Sequence, residues 1–214
     1  MIVAPGSSLL FIGDSITDCG RARPVGESIN AGLGNGYVSL VDSYLKFKHG
    51  SSRIRVQNTG IGGNTVRDLA GRWDEDVFDL EPDWVSVMIG INDVWRQFDT
   101  YLEVENHVRL PEYRSTLNSL VGMTKERCQG VVVMSPFLAE PHVEDPMRSL
   151  MDEYGASAMD IARKHDAIFV DVQGELDAFM VHVPNMALCS DRIHLSQAGH
   201  MMMAFAFLEA IRAV

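Results

Sequence analysis

Leu9-Leu10-Phe11-Ile12-Gly13-Asp14-Ser15-Ile16-Thr17-Asp18 is the stretch on which the fold turns. Four apolar residues in a row predict a strand covered on both faces, and Gly-Asp-Ser then marks a turn that opens a helix. The same arrangement recurs along the chain. Ile54–Asn58, Trp84–Ile89, Val131–Ser135 and Ala167–Asp171 are further near-continuous apolar runs. Helical patterns lie between them over Tyr37–Lys48, Val66–Phe78, Glu112–Arg127, Met147–His165 and Ser196–Arg212. Such alternation predicts an α/β fold, with a five-stranded parallel sheet sandwiched between helices. No repeat, low-complexity tract or linker interrupts it, so one domain over 1–214 is expected. In sheets of this kind ligands bind beyond the carboxyl ends of the strands. Gly13–Asp18, Thr59–Asn64, Gly90–Asp93 and Pro136–Glu140 are therefore the segments to search.

Composition narrows the classes. A formal charge of −11 over 214 residues offers no basic face for nucleic acid and suits a neutral or cationic small molecule. Apolar content of 46% is globular, and the longest apolar stretches are too short to span a bilayer, so no membrane partner is expected. The N-terminus has no basic residues ahead of its apolar run, which predicts a cytoplasmic protein without a secretory leader. Three cysteines, Cys19, Cys128 and Cys189, make neither a disulfide framework nor a metal-ligand spacing. Reduced thiols and no bound metal are expected.

Four segments carry chemistry. Ser15 at a strand-to-helix junction reads either as a helix cap or as a nucleophile standing above the sheet edge. Thr17 occupies the place of the second glycine of a G-x-S-x-G elbow, which argues against the ordinary α/β-hydrolase fold. Thr59-Gly60-Ile61-Gly62-Gly63-Asn64 is a tight turn or an anion-binding nest, and lacks the lysine of a phosphate loop. Gly90-Ile91-Asn92-Asp93 reads as a turn, or as an amide donor for a developing oxyanion. Asp191-Arg192-Ile193-His194 puts a carboxylate and an imidazole within one turn of chain, as a general base and its orienting partner require. His200 reads as structural.

Together these blocks resemble the SGNH (GDSL-type) hydrolases. The resemblance implies a flavodoxin-like α/β/α sandwich, Ser15 as nucleophile, His194 as general base and Asp191 as its partner. It implies an oxyanion hole of the Ser15 and Gly63 N–H groups and the Asn92 side chain, with no cofactor. Phe11–Pro24, Ile89–Gln97 and Asp145-Pro146-Met147-Arg148 are similar to the bacterial intracellular acetylxylan esterases of that superfamily. That likeness implies deacetylation of short xylo-oligosaccharides by a homo-oligomer. Leu195 departs from the family, many of whose members place proline there.

Substrate contacts are expected from Asp14, Trp95, Arg96 and Gln97, near the loop Phe137–Pro146, because an indole face suits a sugar ring and polar groups its hydroxyls. Trp95 reads equally as a packed wall. Three other functions fit parts of the pattern. A metal-dependent phosphoesterase would use Asp14, Asp18, Asn92, Asp93, Asp191 and His194 as ligands. A binding protein would have lost catalysis. An esterase of the same mechanism would take a thioester, lysophospholipid or other short acyl ester.

Overall fold

Each of the five apolar runs forms a strand. The computed structural model describes residues 1–214. β1 (Ser8–Gly13) leads into one helical turn, α1 (Ser15–Asp18), and then a two-residue strand, β2 (Gly26–Glu27). α2 (Tyr37–His49), β3 (Arg55–Asn58), α3 (Val66–Asp76), β4 (Trp84–Met88), α4 (Ile91–Asp99), α5 (Leu110–Arg127) and β5 (Gly130–Met134) follow. α6 (Pro146–Lys164), β6 (Ile168–Val170), α7 (Val172–Met180), α8 (Asn185–Leu188) and α9 (Gln197–Ala210) complete the chain.

The sheet order is β2-β3-β1-β4-β5-β6, parallel except for β2, which runs antiparallel to β3. β2 is a sixth strand beyond the five expected; two residues at an edge carry no apolar pattern to reveal it. In register, Leu9 of β1 lies level with Val56 of β3 on one side and Trp84 of β4 on the other. The strands leave β1 in both directions, so a crevice opens above the carboxyl ends of β1 and β4. α2 packs on α9, which also meets α7, whereas α5 joins α3 to α6.

The continuous runs are explained by double coverage. β4 and β5 are buried at every residue, and one core joins Phe11, Tyr37, Val87, Tyr113, Tyr154 and Phe207. Side-chain caps set the starts of α1, α3, α6 and α7. Thr65 and Asp68 form a reciprocal capping box at α3. Asp145 accepts the Met147 and Arg148 N–H groups at α6, where Pro146 fills the first turn. No helix is long and apolar enough to cross a membrane.

Candidate active site

Ser15 is the first residue of α1, and Asp14 caps that turn by accepting the Ile16 N–H at 2.9 Å. The serine therefore caps nothing itself. Its Oγ lies 2.9 Å from His194 Nε2. On the far side of the ring, Nδ1 sits 2.6 Å from Asp191 Oδ2. The carboxylate fixes the ring proton on Nδ1, which leaves Nε2 as the acceptor for the serine hydroxyl. Asp191 also accepts the Ile193 and His194 N–H groups at 3.0 and 2.8 Å. Burial raises the Asp191 carboxyl, but the hydrogen bonds from the His194 ring and the two amides outweigh it and hold the group below the usual carboxylate range. A charged Asp191 beside a neutral, oriented imidazole is the state that proton abstraction needs.

The glycine loop runs alongside. A Cβ built on Gly62 would lie 3.7 Å from Ser15 Cβ, in ordinary contact. Gly63 adopts φ +83°, a left-handed conformation that side chains disfavour. The Ser15 and Gly63 N–H groups donate to no protein acceptor. They remain available as orphan donors at a helix start and a turn. Asn92 Nδ2 gives one proton to the Asn64 carbonyl at 3.0 Å and keeps a second. Gly90–Asp93, which reads in sequence either as a turn or as an amide donor, forms the N-cap and opening residues of α4. Gly90, at φ +137°, permits the abrupt change from strand to helix. The Asp93 carboxyl is occupied by the Val66 N–H of α3, at 3.0 and 3.3 Å to its two oxygens.

Two arginines that the sequence did not single out hold these segments together. Arg72 of α3 donates to Asn64 Oδ1 at 2.7 Å, the Thr59 carbonyl at 2.7 Å and the Gly13 carbonyl at 3.1 Å, and pairs with Asp76. One guanidinium thus joins the ends of β1 and β3 to the glycine loop. Arg192, between Asp191 and His194, takes φ +66°, and its carbonyl accepts the Ala139 N–H at 2.8 Å. Its side chain meets Glu140 and Asp145 at 3.1 and 3.2 Å. An arginine on a helix or in a charged loop looks like solvated surface in sequence, so only three-dimensional partners reveal these.

Of the expected substrate contacts, Asp14 and Gln97 are placed otherwise. Asp14 lies only 1% exposed beneath Ser15, where burial pushes its carboxyl up to about 7. It is engaged by Ile16 and is not positioned to touch substrate. Gln97 points inward, donating to the Asp93 and Val108 carbonyls and to Tyr154 Oη. Its amide is consumed by packing α4 against the core. Trp95 is half-buried and meets the His194 ring edge-on at 6.4 Å between centroids. Arg96 covers the Trp95 ring at 4.5 Å and pairs with Asp99. His200 is buried, and its Nδ1 accepts the Tyr37 N–H at 3.3 Å. The Cys19 thiol, raised to about 11 by burial and by the nearby Asp18 and Asp14 carboxylates, is no thiolate near neutral pH. The candidate metal ligands do not converge: Asp14, Asp18, Asp93 and Asp191 turn respectively to Ile16, Arg23, Val66 and His194.

A serine, an oriented histidine, a charged aspartate and free donors at a sheet's carboxyl edge define the class: a serine hydrolase on an α/β/α sandwich. Residues 11–202 match the GDSL-like lipase/acylhydrolase family. The chain belongs to this family and is an ester hydrolase. It is 51% identical to the acetylxylan esterase of Geobacillus stearothermophilus, over 99% of this chain and 96% of that one. The crystal structure of that esterase superposes with a TM-score of 0.97. Its catalytic mutants replace a serine, a histidine and an aspartate numbered as Ser15, His194 and Asp191 are here. An alpha/beta hydrolase enzyme from the metagenome of Lake Arreo, Spain, is 46% identical, with a TM-score of 0.98 over 99% of this chain and 98% of that one.

Proposed function

We propose that this chain, acting as one hydrolase domain over 1–214, removes acetyl groups from short acetylated xylo-oligosaccharides through an acyl-enzyme. The observation that carries the reading is the relay Ser15–His194–Asp191, at 2.9 and 2.6 Å. His194 accepts the Ser15 proton while Asp191 holds the other ring nitrogen. Ser15 attacks the ester carbonyl, and the Ser15 and Gly63 amides with the Asn92 side chain receive the oxyanion. As the intermediate collapses, the bond from the acyl carbon to the sugar oxygen breaks, and protonated His194 gives its proton to that oxygen, which leaves as a hydroxyl. Water, deprotonated by the same ring, attacks the acetyl-serine, and collapse of that second intermediate releases acetate.

The sugar is supported by the 51% identical acetylxylan esterase and by the lack of any long apolar insertion to house an acyl chain. Trp95 and Arg96, on the turn of α4 that follows Asn92, are the nearest candidates to meet it. We propose cytoplasmic action and a homo-oligomer as well, the latter to be checked by light scattering against the 23.7 kDa of one chain.

Purified Ser15→Ala is expected to fold normally and to lose p-nitrophenyl acetate hydrolysis and labelling by a fluorophosphonate. Wild-type turnover by that variant would end the assignment. A panel of acetylated sugars, with acetate release as the readout, tests the substrate. Parent enzyme that cleaves aryl acetate but no acetylated xylo-oligosaccharide would remove the sugar and leave the esterase.

A further inference from the structure

Beside the relay lies a cleft of about 340 Å³, lined by Trp95, Phe98 and Asp99 of α4, by Asp145 and the first residues of α6, Pro146 and Met147, and by Arg192. It adjoins the reacting groups through two of its walls. Trp95 meets the His194 ring, and Arg192 is two residues from His194 in the chain. Its lining is divided in character. Phe98, one turn beyond Trp95 on the same face of α4, is 42% exposed. It is the aromatic left open, since Arg96 covers Trp95. Pro146 and the buried Met147 add apolar surface. Around these stand the carboxylates of Asp99 and Asp145 and the guanidinium of Arg192. That guanidinium uses only Nη1 on Glu140 and Asp145, so its Nη2 and Nε protons have no protein partner.

An acyl chain is poorly served by such a place, because entering it would desolvate three charged groups without replacing their hydrogen bonds. A pyranose is well served. Its C–H face packs on an aromatic ring, while its rim of hydroxyls donates to carboxylates and accepts from a guanidinium. The volume is at the small end of ligand sites and suits one or two rings. We infer that this cleft is a sugar subsite, which seats the pyranose ring next to the acetylated one and gives the enzyme its preference for oligosaccharide esters over simple acetates. The inference rests on the sugar-ester reading above and adds where the second ring lies, with Phe98 as its platform.

The test compares kcat/KM on an acetylated xylo-oligosaccharide with that on p-nitrophenyl acetate, for the parent, Phe98→Ala and Phe98→Tyr. The ratio of the two values should fall about three- to tenfold in Phe98→Ala, the size of one aromatic contact, and return in Phe98→Tyr. Aryl acetate turnover reports in the same samples that the variants are folded. A ratio unchanged in Phe98→Ala, on a parent that cleaves both substrates, overturns the subsite alone. A parent inert on every acetylated sugar overturns the sugar-ester reading, and the subsite with it.

Discussion

The Asn92 amide serves the fold with one proton and, in the mechanism proposed above, the reaction with the other. One of its protons holds the Asn64 carbonyl at 3.0 Å, which fixes the glycine loop against α4. The other has no protein partner and, in the proposed mechanism, meets a charge that exists only during turnover. An amide is a better choice here than a lysine or histidine, because it donates without titrating and adds no charge to the resting site. A donor that meets the oxyanion but not the ground-state carbonyl accelerates the chemical step and leaves binding alone. Asn92→Ala is therefore expected to lower kcat by roughly 10²–10³ with little change in KM. Steady-state kinetics on p-nitrophenyl acetate decide it. A raised KM with kcat preserved would make Asn92 a ground-state binding group instead. Ser15 has a comparable history at this scale. A serine at a strand-to-helix junction is usually read as a cap, yet here Asp14 takes the capping role and frees the hydroxyl for His194.

At the scale of elements, α3 is more than a crossover between β3 and β4. Its Arg72 reaches back to Gly13, Thr59 and Asn64, so the helix clamps the two strand ends that carry Ser15 and Gly63. Removing that clamp with Arg72→Met leaves two main-chain carbonyls short of a donor and should lower the melting temperature. It should also cut kcat about tenfold or more, with KM nearly constant, because misplaced donors weaken the transition state more than the ground state. Arg72→Lys, which reaches one of those carbonyls, should recover part of kcat. Kinetics well below the melting temperature separate the roles: normal kcat in a destabilised Arg72→Met variant would make the residue purely structural. The clamp also shows where sequence reading stops. Strands covered on both faces, such as Trp84–Met88, are legible because burial forces a continuous apolar run. Ser15, Asp191 and His194, which the structure brings into one relay, are legible because proton transfer to and from a serine demands those residue types, with the last two in one short block. α4 is hidden, since Gly-Ile-Asn-Asp has turn chemistry and Asp93 spends its carboxyl on another helix. α7 is hidden because it follows β6 after Asp171 alone, with no loop between them, so the two elements run together in the pattern. Arg72 and Arg192 are hidden because their partners lie many residues away.

For the molecule as a whole, the ground beneath the site has a cost that depends on pH. Burial raises Asp14 to about 7 and Asp93 to about 8 from 3.8, and lowers His200 from 6.5 to about 4. All three are therefore held neutral within the fold over part of the range in which the unfolded chain ionises them. For the carboxyls, the contribution to stability is complete below 3.8, declines as the pH rises, and is gone once the pH passes their folded values. For His200 the sign is opposite: its contribution is complete above 6.5 and is lost as the pH falls towards 4. Below pH 6.5 the two trends oppose each other. Between 6.5 and 8 the imidazole has finished, and chiefly the carboxyls still act. Over that interval one buried carboxyl such as Asp93 loses about 2 kcal/mol, roughly 4–8 °C in melting temperature for a chain of this length. Asp93→Asn keeps an oxygen to accept the Val66 N–H, 3.0 Å away in the parent, and removes the titration. Its melting temperature should therefore fall less than the parent's between pH 6.5 and 8, and the two curves should draw together towards pH 4. Calorimetric scans at a series of pH values check both statements, and parallel curves across the range would place the titrating group elsewhere.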